Sequence, residues 1–364
     1  MKRRIYYLDK IKVLLCVLVI CLHTAVAYGA SGSWFYNEKN NNLVECAVLT
    51  MFAAICQSFF MGLFFFISAY FTPSSYDKKG CKKFFLDKLK RLGIPLLIFY
   101  FFINSLIMYL VSYFQNGYKI SFLKYWCNLN SFGQGPLWFV QALILFNIGY
   151  IIVRKLKKST IKINKVTDII IMKLIIIIAV VSFIVRIIIP IGKEFCGMQF
   201  GYFSQYIVLF ICGCIAYNNN LLDTISKKLV NKWFIIALIS IPLMPVILYF
   251  GGAIDNIQVF FGSLSWQSLA YCIWEPVMCM GISLKLITLY RDKYDYKSTI
   301  TSRLAKCTYP IFIIHAPINV AIECLLMNVK IDLFIKFIIT ASCTFVIAFV
   351  LSEGYYMVKE KILK

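Results

Sequence analysis

Residues 11–30 read IKVLLCVLVICLHTAVAYGA, and an apolar run of this length crosses a bilayer as one helix. The run contains His23, one of two histidines in the chain, and it is approached by Asp9 and Lys12. An ionisable ring inside a membrane span is costly, so it marks a functional position by default. Lys12 precedes His23 by about three helical turns, or roughly 16 Å of rise. We therefore expect both side chains on one helix face, with Lys12 at a membrane surface and His23 near mid-depth.

The composition of the whole chain is that of a membrane protein. Of its 364 residues, 61% are hydrophobic and 15% are charged, and the mean hydropathy is +0.78, which is well above the range of soluble domains. A net charge of +22 would suggest nucleic acid in a soluble protein. No basic face joins a soluble fold here, so we expect no nucleic-acid partner. The 14 cysteines lie mostly inside apolar runs without a CxxC pair and predict neither a disulfide framework nor a metal site.

Ten apolar runs of spanning length can be placed along the chain. They are approximately residues 11–30, 43–71, 94–114, 137–153, 169–190, 201–217, 233–250, 264–290, 305–327 and 333–357. We therefore predict an all-α integral membrane protein with about ten transmembrane helices, forming a single domain over residues 1–364. The start Met1-Lys2-Arg3-Arg4 is compatible with a signal peptide, but no clear small-x-small cleavage site precedes Trp34. We expect the first run to be a retained helix.

Lysine and arginine are distributed unevenly between the connecting segments. If the N-terminus is cytoplasmic, the segments on that side hold 31 of the 38 Lys and Arg residues. The other seven, assigned to the opposite side, are Lys39, Lys119, Lys124, Arg186, Lys193, Lys330 and Lys336. This asymmetry follows the excess of basic residues in cytoplasmic loops, so both termini are predicted to be cytoplasmic. No internal repeat is evident, which weakens a transporter built from inverted repeats.

Three ionisable side chains are expected near the middle of the membrane. They are His23, Glu275 in the eighth run and His315 in the ninth. Buried carboxylates and imidazoles need partners in lipid, and one polar cavity shared by the three is the simplest arrangement. A carboxylate beside an imidazole orients the ring and raises its basicity. The alternative is that each is a packed, hydrogen-bonded structural residue, which for Glu275 means a bond between helices.

The segment 72–93 is the second feature, and we expect it to be a basic loop. It holds seven basic residues, among them Lys88 and Arg91. These two are three positions apart, so on a helix they face the same way. A basic pair at the cytoplasmic surface suits a phosphorylated ligand such as a coenzyme A donor. The alternative is ordinary positive-inside charge attracted to anionic lipid.

Two shorter segments add a serine and a tryptophan. Ser68 lies near the end of the second run, in FFFISAY at 64–70, where its hydroxyl could bond across helices. Trp138 opens the fourth run, in GPLWF at 135–139, where a Trp is most simply an interface anchor. Neither segment identifies a function by itself.

Taken together and in order, these segments resemble the acyltransferase family 3 membrane proteins. That family includes O-acetyltransferases of bacterial surface glycans and the succinyltransferase of periplasmic glucans. The likeness rests on Asp9, Lys12 and His23 at their spacing, on the Phe-Phe-x-x-Ser ending at Ser68, on Lys88 and Arg91 ahead of Pro95, on Leu-Trp-Phe at 137–139, and on Tyr-Pro-x-x-x-x-His-x-Pro at 309–317. The family usually has Arg where this chain has Lys12 and Lys88, and Gly where it has Ala69. Lysine keeps the charge but loses the planar fork that grips a phosphate at two points.

The resemblance implies an inner-membrane O-acyltransferase, and an O-acetyltransferase first of all. Its donor would be acetyl-CoA or another acyl-CoA, with no permanently bound cofactor. Its acceptor would be a hydroxyl of an extracytoplasmic polysaccharide, a cell-wall glycan or a lipid-linked sugar, and a homo-oligomer is compatible with it. Residue by residue, it implies catalysis by His23 and Glu275, acyl-CoA binding by Lys12, Lys88 and Arg91, and orienting or cavity-lining roles for Asp9, Ser68, Trp138 and His315. His23 would act as general base or as acyl relay.

Two alternatives come from other classes of protein. The first is a ten-helix transporter or flippase that uses His23, Glu275 and His315 as a proton relay. It predicts substrate movement without consumption of acyl-CoA. The second is a structural or regulatory membrane subunit, in which the buried histidines only pack.

Overall fold

The computed structural model describes residues 4–127, 131–156 and 161–362. These residues form helices joined by loops, and no β-strand is assigned among them. Ten of the described helices are long and apolar enough to cross a membrane: α1 Tyr6–Ala27, α2 Leu43–Tyr70, α3 Thr72–Phe114, α4 Gly135–Leu156, α5 Asp168–Ile188, α6 Phe200–Asn218, α7 Lys227–Phe250, α8 Trp266–Tyr294, α9 Thr299–Leu326 and α10 Leu333–Ile362. The prediction of an all-α protein with about ten spanning helices is therefore confirmed.

The cytoplasmic location of both termini and the single domain over residues 1–364 stay predictions. The basic start Met1-Lys2-Arg3 lies outside the described residues, as do Lys157, Lys158 and Lys364.

The N-terminus of helix α1 is capped by a residue that is distant in sequence. Ile5, which precedes the helix, provides no side-chain cap. The Asp295 carboxylate instead accepts hydrogen bonds from the backbone N–H groups of Tyr6 and Tyr7, at 3.0 and 3.3 Å. A carboxylate at this end satisfies donors that have no partner within the helix and favours the helix dipole. This contact fixes the start of the helix that carries His23.

The described residues fall into two compact units, each drawn from separate stretches of the chain. The first unit consists of Met1–Cys56, Leu92–Trp138 and Asp295–Lys364. In it, α9 packs against α1, α10 and the segment Asn104–Phe114, and α1 also packs against α10. These contacts place the first helix beside the last two, although nearly the whole sequence separates them.

The second unit consists of Gln57–Arg91 and Phe139–Tyr294. In it, α8 packs against α7 and α5, and α5 packs against α6. Helix backbones approach closely at two glycines. A methyl group built on Gly213 would overlap the carbonyl of Phe66, and one built on Gly281 would overlap the carbonyl of Trp233. Small residues at such points let membrane helices pack by van der Waals contact.

The prediction of a loop over residues 72–93 is wrong. The structure has an α-helix over Thr72–Lys88, followed by a π-helical turn over Leu89–Gly93. The helix is interrupted at Gly80, whose φ of 72° departs from helical values. Lysine and leucine are good helix formers, so a high density of lysine does not by itself make a loop.

Two basic residues that the charge count assigned to outer segments are buried inside helices. Arg186 lies in α5 and Lys336 in α10, and each side chain is at most 2% exposed. Each has a carboxylate partner, because an unpaired charge is costly in such a setting. Their place in the count of exposed loop charges was wrong.

Candidate functional site

Three aromatic rings from separate parts of the first unit lie together. His23 comes from α1, His315 from α9, and Trp34 from the loop 28–42 that follows α1. The ring centroids of His23 and Trp34 are 4.0 Å apart with planes 17° from parallel, and those of His23 and His315 are 5.4 Å apart at the same angle. We call these three side chains the ring stack. Of the three residues expected to share one polar cavity, the structure brings His23 and His315 into contact, and the shared cavity with Glu275 stays a prediction.

The two histidines differ in exposure and in hydrogen bonding. His315 is fully buried, and its Nδ1 lies 2.7 Å from the carbonyl oxygen of Phe312. A carbonyl only accepts, so Nδ1 carries the proton and Nε2 keeps a lone pair. His23 is only partly buried, and its Nδ1 has no hydrogen-bond partner among the described residues. His23 is therefore the more exposed of the two histidines, although its Nδ1 is itself buried.

A carboxylate that the sequence analysis did not single out adjoins the ring stack. Glu323 is fully buried in α9, and it accepts hydrogen bonds from Trp34 Nε1 at 3.2 Å and from Asn319 Nδ2 at 2.7 Å. His315, Asn319 and Glu323 are spaced by four residues, so they lie along one face of α9. That spacing is the signal by which the sequence could have revealed Glu323.

Asn319 also joins the three helices that surround the ring stack. Its Oδ1 accepts from Thr24 of α1 at 3.0 Å and from Thr344 of α10 at 2.9 Å. All three side chains are fully buried. Hydrogen bonds between helices help to hold membrane proteins together, and a satisfied buried network fixes one arrangement of its members. The network thus holds α1 in register beside α9.

The loop 28–42 is held down by a second buried cluster. Glu38 accepts from Lys336 Nζ at 2.6 Å and from the Tyr36 hydroxyl at 3.0 Å, and its backbone N–H donates to Ala27. Burial, reinforced by the Glu38 carboxylate, raises the pKa of Tyr36 above its ordinary value, so the phenol remains a donor at neutral pH. These bonds fix the loop that presents Trp34 to His23.

The residues at the N-terminal end of α1 form a small ionic group. Lys12 Nζ lies 2.7 Å from one oxygen of Asp9, and Arg4 Nε lies 2.9 Å from the other. Asp9 therefore orients two cations at the start of the helix that carries His23. The binding of an acyl-CoA by Lys12 stays a prediction.

Glu275 belongs to the second unit and is paired there with Arg186. Its Oε2 lies 2.5 Å from Nη2 of the arginine, whose Nε donates to the Gly201 carbonyl at 2.9 Å. The rings of Tyr202 and Tyr271 flank the guanidinium, with centroids 5.4 and 5.5 Å from Cζ. The ring stack thus belongs to the first unit and this ion pair to the second. The predicted role of Glu275 toward His23 stays a prediction.

The remaining predicted residues lie outside both clusters. Lys88 Nζ lies over the Phe84 ring at 5.4 Å, and Arg91 is exposed in the π-helical turn. Ser68 is half-buried, and its carbonyl accepts from the Thr72 hydroxyl. Trp138 is half-buried and follows the 3-10 turn with which α4 begins. No group of three potential metal-ligating residues occurs in the described parts of the chain.

The spanning helices and the ring stack together define a multi-pass membrane protein with a polar site in its first unit. A family model for an acyltransferase domain matches residues 5–353, and the chain therefore belongs to acyltransferase family 3. The match runs through both units. The family expected from the sequence motifs is confirmed.

Curated relatives match over a limited stretch. Glucans biosynthesis protein C of Escherichia coli strain SMS-3-5 is 36% identical over 95 residues, which is 26% of this chain and 23% of that protein. The same protein of Escherichia coli strain K12 is 35% identical over 95 residues, with the same coverage. The match thus spans about a quarter of the length of these relatives. No solved structure matches the chain.

Proposed function

We propose that this protein transfers an acyl group, acetyl first of all, from acyl-CoA to a hydroxyl of an extracytoplasmic glycan or lipid-linked sugar. Membership of acyltransferase family 3 supports the reaction class. The observation that carries the proposal is that His23, a partly exposed residue of a spanning helix, has its imidazole stacked against that of His315. An imidazole so placed suits a general base or an acyl acceptor.

The reaction uses the lone pair of one His23 nitrogen. The acceptor oxygen attacks the thioester carbonyl carbon, the carbon–sulfur bond breaks, and His23 takes the hydroxyl proton. His23 then returns that proton to the departing coenzyme A thiolate, so the imidazole is neutral before and after each turnover. If His23 instead carries the acyl group, its nitrogen first bonds to the acyl carbon as the carbon–sulfur bond breaks. The acceptor oxygen then bonds to that carbon as the nitrogen–carbon bond breaks, and the hydroxyl proton passes to the coenzyme A thiolate.

The ring stack favours His23 over His315 for this task. His315 is fully buried and its Nδ1 proton is engaged by the Phe312 carbonyl. It therefore serves as the fixed neighbour of the reactive ring. Both histidines lie among apolar helices, where water is scarce and electrostatic interactions are strong.

In this proposal Lys12, Lys88 and Arg91 bind the donor phosphates. Lys12 in the first unit is oriented by Asp9, and Lys88 and Arg91 lie in the basic segment of the second. Charge-assisted hydrogen bonds from such groups are the usual means of phosphate binding. In this proposal the donor enters from the cytoplasm of an inner-membrane protein, and the acceptor meets it from the other side.

The glycan as acceptor is supported by the curated relatives. The name of these relatives refers to glucan biosynthesis. Over the matched stretch, about a third of the residues are identical. The transporter alternative has no comparable support. Its relay would include Glu275, whose carboxylate is paired with Arg186.

The test is acyl-CoA turnover by the protein in lipid nanodiscs. Radiolabelled acetyl-CoA is supplied to the wild type, to His23→Ala and to Cys21→Ala. Cys21 is a half-buried position on the same helix and has no role in the proposed chemistry. We expect thioester consumption by the wild type and Cys21→Ala, and its loss in His23→Ala. Label retained on the protein would identify His23 as an acyl relay.

Two results would contradict parts of this proposal. If acetyl-CoA and other acyl-CoAs are inert with both wild type and His23→Ala, and both are folded, the acyltransferase proposal is wrong. If His23→Ala retains full turnover, the reaction class stands and the assignment of His23 is wrong.

A further inference from the structure

Within the part of the chain that the structure describes, no carboxylate hydrogen-bonds to His23 as one commonly does to a catalytic histidine. Its Nδ1 has no partner among the described residues, and its ring contacts are Trp34 and His315. Neither neighbour carries a negative charge. Something else must fix the plane of the ring and stabilise the cation that forms when it takes a proton.

Trp34 is placed to do both. Its ring centroid lies 4.0 Å from that of His23, and the planes are 17° from parallel. The basic nitrogens of an imidazole react in the plane of the ring, so an indole on the face holds the ring without covering its lone pairs. A cation within about 6 Å of the face of a Trp ring is attracted by the electron density of that face. The attraction is absent in the neutral ring and present in the imidazolium.

Trp34 is itself held in position by a hydrogen bond from its indole N–H and by a ring contact. Its Nε1–H donates to Glu323 at 3.2 Å, and Glu323 is fixed by Asn319 at 2.7 Å. Phe35 packs edge-on against the indole, with centroids 5.1 Å apart at 70°.

We propose that Trp34 is a positioning residue for acyl transfer, whose indole, anchored by Glu323, fixes the plane of the His23 imidazole and stabilises the imidazolium formed during the reaction. This inference rests on the proposed function. Trp34 acts through His23 and does not touch the reacting atoms. Glu323 thus supports His23 indirectly, by holding the indole of Trp34.

The experiment combines kinetics with a signal from His23 itself. Acetyl-CoA turnover in nanodiscs is measured for the wild type, Trp34→Phe and Trp34→Leu. Leucine removes the aromatic face, and we expect kcat to fall about tenfold, the equivalent of about 1.4 kcal/mol, with KM for acetyl-CoA unchanged. Phenylalanine keeps a weaker face and loses the N–H, so we expect a fall of about threefold and hence a partial rescue.

Tyr36→Phe is the matched control for loosening the loop. It removes the hydroxyl that donates to Glu38 and leaves the ring stack in place. We expect its kcat to stay within about twofold of the wild type. If Tyr36→Phe and Trp34→Leu lose activity equally, Trp34 merely holds the loop, and the positioning role is refuted.

Histidine-selective isotope labelling gives the second readout. The chain has two histidines, so the Cε1–H group gives two NMR signals, and His23→Ala assigns them. We expect the His23 signal to lie upfield under the indole ring current and to move downfield in Trp34→Leu. An unchanged signal overturns the inference whatever the kinetics show.

The two failures are distinguishable. If the wild type turns over acyl-CoA but Trp34→Leu does so equally well, the inference fails and the proposed function stands. If the wild type consumes no acyl-CoA, both fail as statements about acyl transfer, and the NMR signal then reports only whether the ring stack exists.

Discussion

Replacing Glu275 by glutamine separates the two roles that this carboxylate can have. The sequence predicts that it supports the catalytic histidine, whereas the structure pairs it with Arg186 in the second unit. The substitution keeps the size and a hydrogen-bond acceptor but removes the charge. Arg186 is 1% exposed and would then be a buried cation without a counter-ion.

The size of the effect follows from the geometry. Two unit charges 2.5 Å apart attract by about 7 kcal/mol at an effective dielectric constant of about 20. Glutamine retains a hydrogen bond to the charged guanidinium, which is worth about 1.5–3 kcal/mol. We therefore expect Glu275→Gln to lower the free energy of unfolding by about 4–5 kcal/mol, in line with other broken buried pairs.

The assay is denaturant titration in mixed micelles, with acyl-CoA turnover measured on the folded protein. The matched variant is Arg186→Met with Glu275→Leu, which replaces both charges by apolar groups. We expect it to recover stability to within about 2 kcal/mol of the wild type, because only the Gly201 carbonyl and the Cys272 sulfur lose a donor. Turnover per folded molecule should be close to normal in the double variant.

One outcome would refute this reasoning. If Glu275→Gln unfolds like the wild type but loses kcat, and the double variant does the same, the carboxylate is catalytic and the ion pair contributes little. Loss of stability in the single variant alone would place Glu275 in the scaffold of the second unit.

Two further predictions test packing and donor binding. Gly213→Ala should lower the free energy of unfolding by about 2 kcal/mol or more through overlap with a neighbouring helix. The control is Gly149→Ala, where a methyl group meets nothing within 4 Å, and it should be neutral or slightly stabilising. Thermal unfolding of both variants distinguishes overlap from a general effect of alanine. Lys88→Ala and Arg91→Ala should each raise KM for acyl-CoA about tenfold through a lost charge-assisted hydrogen bond to phosphate. Lys82 is exposed, and Lys82→Ala should leave KM within about twofold of the wild type. Equal effects of all three substitutions would indicate a diffuse charge effect and no defined phosphate site.

The spanning helices were predictable because hydropathy alone encodes them. A run of about 20 apolar residues has few alternatives to a membrane helix, and the runs found in the sequence coincide with the helices observed. The basic segment over residues 72–93 was predicted wrongly because charge was used as the sign of a loop. A helix at the membrane surface can carry many lysines, and the single interruption at Gly80 has little effect on the pattern.

The candidate site was predictable only for residues whose type is energetically unfavourable inside an apolar run. His23 and His315 stand out because an imidazole among apolar residues needs an explanation. Trp34 does not stand out, since its significance lies in a contact with Glu323 across 289 positions of sequence. Arg186 and Lys336 were assigned to loops because a charge count does not show which basic residues have a buried carboxylate partner.

The loop 28–42 depends on residues that are synthesised near the other end of the chain. Trp34 is anchored by Glu323, and Glu38 by Lys336, which lies 298 positions later. A nascent chain with eight inserted helices therefore lacks the residues that anchor this loop. It also lacks His315, which belongs to α9. The ring stack can form only when nearly all of the protein has been made.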